Sequence, residues 1–270
     1  MSSGRTGTPS ELGATGWRRW GTAENYPKAT IALVVVILLI YLAAWARSGP
    51  LTGWGEVRAS ELCRWGALVN EQIAIQYGVS ADPYRVFSAL FVHGSAVHVL
   101  LNGAMLYTLG GDWERRFGAS RLLCLFVWCG FWGFLASLFW SHSQSVGLFT
   151  VGASGAIFGL AGASLGVKIA ASEGGIREYA VRWCVVGIVL SIGFPGINHA
   201  AHLGGFAAGL PGGWAVFRWL RLPRFRLIIR ALAVLLVGLC VISTTWSVRG
   251  PLWKSVRISE VRGAGTAAAR

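Results

Sequence analysis

The chain has 270 residues, of which 54% are hydrophobic and only 13% charged, with a mean hydropathy of +0.56. A soluble domain carries about 25% charged residues, so this composition excludes an ordinary soluble fold. The formal net charge of +13 would suggest nucleic acid in a soluble chain. Here the arginines cluster between apolar runs, where membrane topology places them, and no nucleic-acid partner is expected.

Residues 1–28 are polar and include Arg5, Arg18, Arg19 and Lys28. They lack the apolar core and cleavage site of a signal peptide, and Glu11 and Glu24 argue against a transit peptide. They read as a flexible cytoplasmic tail. The run 29–46 is apolar and long enough for a first transmembrane helix. The connection 47–86 carries Pro50, Trp54, Trp65 and Pro83; its apolar and aromatic content predicts an ordered, half-immersed loop. A second span is predicted over 87–109, followed by a polar stretch over 110–118. A third covers 121–140, a fourth 148–171 and a fifth 179–194, which a tight turn at Pro195-Gly196 closes. The sixth covers 198–219. Arg218, Arg221, Arg224, Arg226 and Arg230 follow, then a seventh span over 227–246.

The predicted fold is an all-α polytopic membrane protein: a six-helix core over 29–219, a basic linker with a C-terminal transmembrane helix over 220–246, and a basic tail over 247–270. The connections after the second, fourth and sixth spans carry arginine or lysine, and those after the third and fifth carry none. The positive-inside rule then puts the N-terminus in the cytoplasm. The short soluble segments suit a bacterial inner membrane. The five cysteines, Cys63, Cys124, Cys129, Cys184 and Cys240, are scattered without metal-ligand spacing and read as small apolar residues.

The stretch 150–166, TVGASGAIFGLAGASLG, sets a hydroxyl, Ser154, between Gly152 and Gly155. Gly155/Gly159 and Gly162/Gly166 keep a four-residue spacing, as do Gly205, Gly209 and Gly213 in the sixth span. Such small-residue faces let two helix backbones approach closely, which would bring Ser154 within hydrogen-bond reach of His202. Entering from the outer face at 1.5 Å per residue, both would lie roughly 6–10 Å below the end of the hydrocarbon. His93, His98 and Asn102 lie in the outer half of the second span, and His98 and Asn102 share a helix face. One serine at a helix contact is ordinary glue. Five polar groups at one depth on three co-oriented spans argue for a site.

A serine beside an imidazole can act as nucleophile and general base, and an imidazole and a carboxamide can donate to a developing oxyanion. No aspartate or glutamate lies in these half-spans, so a dyad is expected rather than a triad. Metal binding by His93, His98, His199 and His202 is disfavoured, because carboxylate and cysteine partners are missing; neither metal nor cofactor is expected. A transporter or proton channel is disfavoured by the lack of acidic residues in the spans and of an inverted repeat.

Gly152-Ala153-Ser154-Gly155, together with Ala200-Ala201-His202-Leu203-Gly204-Gly205 and Gly209, resembles the rhomboid family of intramembrane serine proteases. His98-Val99-Leu100-Leu101-Asn102 matches the family's HxxxN. Gly110, Glu114 and Gly118 match its GxxxExxxG, and Tyr84-Arg85 stands where Trp-Arg is frequent. The likeness covers 84–213, and the seventh span resembles the six-plus-one form. It implies a serine endopeptidase that cuts transmembrane proteins near the outer face. Ser154 would be the nucleophile and His202 the base, with His98, Asn102 and the Ser154 N–H stabilising the oxyanion. Arg85 and Glu114 would be structural. Phe158 stands where many members have tyrosine, one turn after the serine, and would pack against the base. His199 stands where asparagine is frequent. Mobile parts would be Pro195-Gly196 and the end of the fifth span. The contrasting possibility is a catalytically silent rhomboid-like protein that binds membrane clients; such members usually lack the serine or the histidine.

Overall fold

The structure, a computed structural model, describes residues 26–49, 55–71, 73–74, 81–144, 149–193, 197–219 and 222–249. Most of both tails, Pro50, Trp54, Arg221 and the expected turn at Pro195-Gly196 lie outside the described residues.

Helix α1 (Lys28–Ser48) is an uninterrupted aliphatic run that begins directly after Pro27. Its first N–H groups have no partner within the helix. The carboxylate of Glu114 supplies one from far along the chain: Oε1 accepts the Ala29 N–H at 2.9 Å, and Oε2 accepts the Thr30 N–H at 2.7 Å and its hydroxyl at 2.8 Å. A negative group at a helix N-terminus also complements the helix dipole. Glu114→Ala should therefore lower stability by about 1–3 kcal/mol. Glu114→Gln, which keeps one acceptor oxygen, should lose less. Thermal unfolding in detergent checks both; equal melting temperatures for wild type and Glu114→Ala would contradict the capping role.

The connection after α1 is ordered by its own polar framework. Helix α2 (Ala59–Arg64) and strand β1 (Leu68–Val69) wrap around Arg85, which is 1% exposed. Its Nη1 donates to the carbonyls of Cys63 at 2.8 Å and Ala67 at 3.1 Å. Glu61, buried on α2, pairs with Arg64 and, at 3.3 Å, with Arg47 at the end of α1.

Short helix α3 (Arg85–Ser88) comes next, then α4 (Ala96–Met105), which continues through a π turn (Leu106–Gly110) into α5 (Gly111–Phe117). The second predicted span is thus shifted along the chain. Within it, 87–88 close α3 and 89–95 are not helical, while the expected polar connection at 110–117 is. The apolar run Ala89–Val92 fills the core, but its backbone is satisfied by neighbours: Ala89 C=O accepts the Gly152 N–H at 2.9 Å. The helix starts where Ser95 Oγ accepts the His98 N–H at 3.3 Å, an N-cap. At the other end Trp113 draws the helix on, with Nε1 donating to Leu160 C=O at 3.1 Å and Ser164 Oγ at 2.8 Å.

Helix α6 (Ala119–Gln144) is followed by strand β2 (Phe149–Thr150), which pairs antiparallel with β1, Leu68 opposite Thr150. Helix α7 (Ser154–Ala170) therefore begins six residues later than the predicted fourth span, which started at 148. Helices α8 (Ile176–Gly193), α9 (His199–Trp219) and α10 (Pro223–Arg249) complete the described chain. Among the described helices, α1, α6 and α10 are long and apolar enough to cross a membrane. Their outward faces carry exposed Leu39, Phe139, Val234 and Ile242, as expected of surfaces that meet lipid. Helix α7 is nearly enclosed by protein.

The central contact is α7 against α9. A methyl group built on Gly205 would collide with the Gly155 carbonyl, and one on Gly209 with the Gly159 carbonyl. The two backbones touch with no side chain between them. Helix α10 joins the core through Ser243 Oγ, which donates to Tyr84 C=O at 2.6 Å.

Candidate active site

Ser154 is the first residue of α7, not a residue well inside a helix. A glycine turn delivers it there. Gly152 has φ +113°, a conformation side chains rarely adopt, and a Cβ on it would lie 2.7 Å from His98 Nε2. The next residue is held as well, since Ala153 N–H points at His93 Nε2 at 3.4 Å. His93 is fully buried. Its Nδ1 lies 3.3 Å from Phe91 C=O and donates to it, which leaves Nε2 as the acceptor. His93 thus lies in the segment before α4, not on the second helix, and braces the serine turn.

His202 sits in the first turn of α9, 8% exposed. Its Nε2 lies 2.8 Å from Ser154 Oγ. The Phe158 ring stacks on the imidazole at 4.2 Å between centroids and 9° between planes. Trp183 from α8 meets the other side of that stack edge-on at 5.4 Å from Phe158. The ring plane of His202 is therefore set by packing, which presents Nε2 to the hydroxyl. Among the described residues no carboxylate bonds to His202, and no group of three or more His, Cys, Asp or Glu gathers as a metal site.

Ser154, His202, His98 and Asn102 all line one cavity of about 390 Å³, with Thr150 and Asn198 at its margin. Asn102 is 5% exposed; its Nδ2 donates to His98 C=O at 2.9 Å, and its Oδ1 is buried without a partner among the described residues. The Ser154 N–H lies in the first turn of α7, where N–H groups have no acceptor within the helix and the helix dipole favours negative charge. His199 is exposed at the start of α9 and is not part of the cavity lining. Arg85 and Glu114 lie away from it, in the framework described above.

Two residues at the site had not stood out in the sequence. Asn198 caps α9, with Oδ1 accepting the Ala201 N–H at 3.0 Å, and its Nδ2 donates to Thr150 Oγ1 at 2.7 Å. An asparagine just before a helix is a recognisable cap, so Asn198 left a signal. Thr150 left none.

The family model for the rhomboid domain matches residues 80–219, more than half of the chain. The chain belongs to the rhomboid family. It is an integral, multi-pass membrane protein with the rhomboid helical fold. RHOMBOID-like protein 1 of Arabidopsis thaliana is 33% identical over 190 residues, covering 69% of this chain and 46% of that protein. Rhomboid protease GluP of Bacillus subtilis (strain 168) is 30% identical over 193 residues, covering 69% of this chain and 35% of that protein. Rhomboid protease AarA of Providencia stuartii is 26% identical over 203 residues, covering 67% and 69%. This rhomboid chain thus spans less than half the length of the first two relatives.

Proposed function

We propose that this rhomboid chain is an intramembrane serine endopeptidase acting on transmembrane proteins. The observation that carries the reading is the 2.8 Å contact between His202 Nε2 and Ser154 Oγ, inside a cavity that also holds His98 and Asn102. As Ser154 Oγ attacks the scissile carbonyl, His202 Nε2 takes its proton. The carbonyl oxygen becomes an oxyanion, for which the Ser154 N–H, His98 and Asn102 are the donors. When the C–N bond breaks, His202 returns the proton to the leaving amine and an acyl-enzyme remains. Water then attacks the ester, giving its proton to His202, and the carboxyl product leaves as Ser154 regains its hydrogen.

Peptide bonds in a membrane helix are shielded by their own hydrogen bonds. Substrates should therefore carry glycine, proline or small residues near the cleavage point, where the helix unwinds at little cost. With the N-terminus in the cytoplasm the cavity faces the outer side, and the arginine-rich connections lie inside. The core over 29–219 carries this chemistry, the seventh helix is an addition to it, and a bacterial inner membrane is its setting.

Labelling with a fluorophosphonate in detergent tests the reading. Wild type should be labelled, and Ser154→Ala and His202→Ala should not. Unlabelled wild type that also fails to cleave a transmembrane substrate in lipid would favour a silent, client-binding rhomboid. Asn102→Ala should slow cleavage about tenfold or more through loss of an oxyanion donor. Unchanged kcat in that variant would remove Asn102 from the oxyanion site.

A further inference from the structure

The segments that bear Ser154 and His202 are joined on both sides of the reacting pair. Deeper along the helices the joint is the contact of Gly205 with the Gly155 carbonyl. Toward the helix starts it is the side-chain bridge from Asn198 Nδ2 to Thr150 Oγ1, at 2.7 Å. Thr150 precedes Ser154, and Asn198 precedes His202, by the same number of residues. The bridge and the Ser154–His202 contact are thus two successive rungs between the same two strands of chain.

The chemistry of Asn198 leaves one arrangement. Its Oδ1 must face a donor, the Ala201 N–H at 3.0 Å, so Nδ2 faces Thr150. Its backbone carbonyl accepts the His202 N–H itself at 3.3 Å. Thr150 in turn is 5% exposed and pairs with Leu68 across the small sheet. One residue therefore caps the helix that carries the imidazole and grips the strand that leads to the hydroxyl.

We propose that Asn198 and Thr150 are positioning residues that set the distance between Ser154 and His202. The inference rests on the nucleophile and base roles given above. Neither residue touches the reacting atoms. Without the bridge, the first turn of α9 would be held to α7 by the Phe158–His202 stack and the reacting pair itself, and the ends of helices are where they fray. His202 is in that turn. A displacement of about 1 Å in a reacting group can cost roughly 100-fold in rate.

Thr150→Val keeps the shape and β-branching of the side chain and removes only the hydroxyl. Its second-order rate of fluorophosphonate labelling at Ser154, and its kcat on a transmembrane substrate in lipid, should both fall about tenfold. KM and the melting temperature should stay near wild type. Thr150→Ser should restore the rate. Adding Thr150→Val to Asn198→Ala should cost nothing more than Asn198→Ala alone, because both break one bond. Wild type labelled at Ser154 with Thr150→Val labelled equally fast would overturn the bridge and leave the nucleophile standing. A fall in activity matched by loss of folded protein, with unchanged labelling per folded molecule, would overturn it too. Wild type with neither label nor cleavage would overturn both readings together.

Discussion

Ser154→Ala is expected to reduce cleavage of a transmembrane substrate by on the order of 10⁴-fold or more, and His202→Ala by a similar factor. The two should not add: a nucleophile and its base act as a unit, so losing either removes the covalent route. Folding should survive Ser154→Ala, because the change deletes one oxygen and one hydrogen bond, worth about 1 kcal/mol. His202→Ala also unstacks Phe158, which lies 4.2 Å from the imidazole, so it should melt lower than Ser154→Ala. Cleavage rates in lipid vesicles, read beside melting temperatures, separate the two effects. Cleavage by folded Ser154→Ala at more than a few per cent of wild type would sink the mechanism.

Gly209→Ala should be among the most damaging single methyl groups in the core. The added carbon meets the Gly159 carbonyl and lies 2.8 Å from the Ala163 N, with only backbone on the far side. Backbone within a packed helix pair cannot turn aside as a side chain can, so α7 and α9 must separate. Overpacking of this kind costs about 3 kcal/mol. Activity should fall further than stability, since the same pair of helices carries Ser154 and His202. Gly238→Ala is the control: among the described residues nothing lies within 4 Å of the added carbon, and a helical Gly→Ala change there should be neutral or stabilising by up to about 1 kcal/mol. Equal melting temperatures for the two variants would contradict the close packing of α7 on α9.

Much of this architecture was legible from local pattern. The runs behind α1, α6 and α10 are apolar throughout, and their helices run at or slightly beyond the predicted limits. The four-residue spacing of Gly155/Gly159 against Gly205/Gly209 announced a pair of helices able to touch, and Ser154 and His202 meet across it. The starts of the second and fourth spans were not legible. Residues 89–93 and 149–153 are as apolar as a membrane helix, yet 89–93 form tight local turns and both segments also bond backbone groups of distant segments. Val69 and Leu68 pair with Phe149 and Thr150, and Ala89 takes the Gly152 N–H. An apolar run states that a segment is buried, not which groups bond its backbone.

The sequence by itself determined the membrane class and which side chains are chemically suited to hydrolysis, because hydropathy and side-chain chemistry are local properties. Only the tertiary structure decided where Ser154 sits on its helix and what holds the site in place. Glu114 closes α1 from 84 residues away, and Asn198 reaches Thr150 across 48. Each answers a need created by burial: a helix end or polar side chain taken out of water must find a partner. Which partner it finds depends on how distant segments come together, and that is not written in any single stretch of the chain.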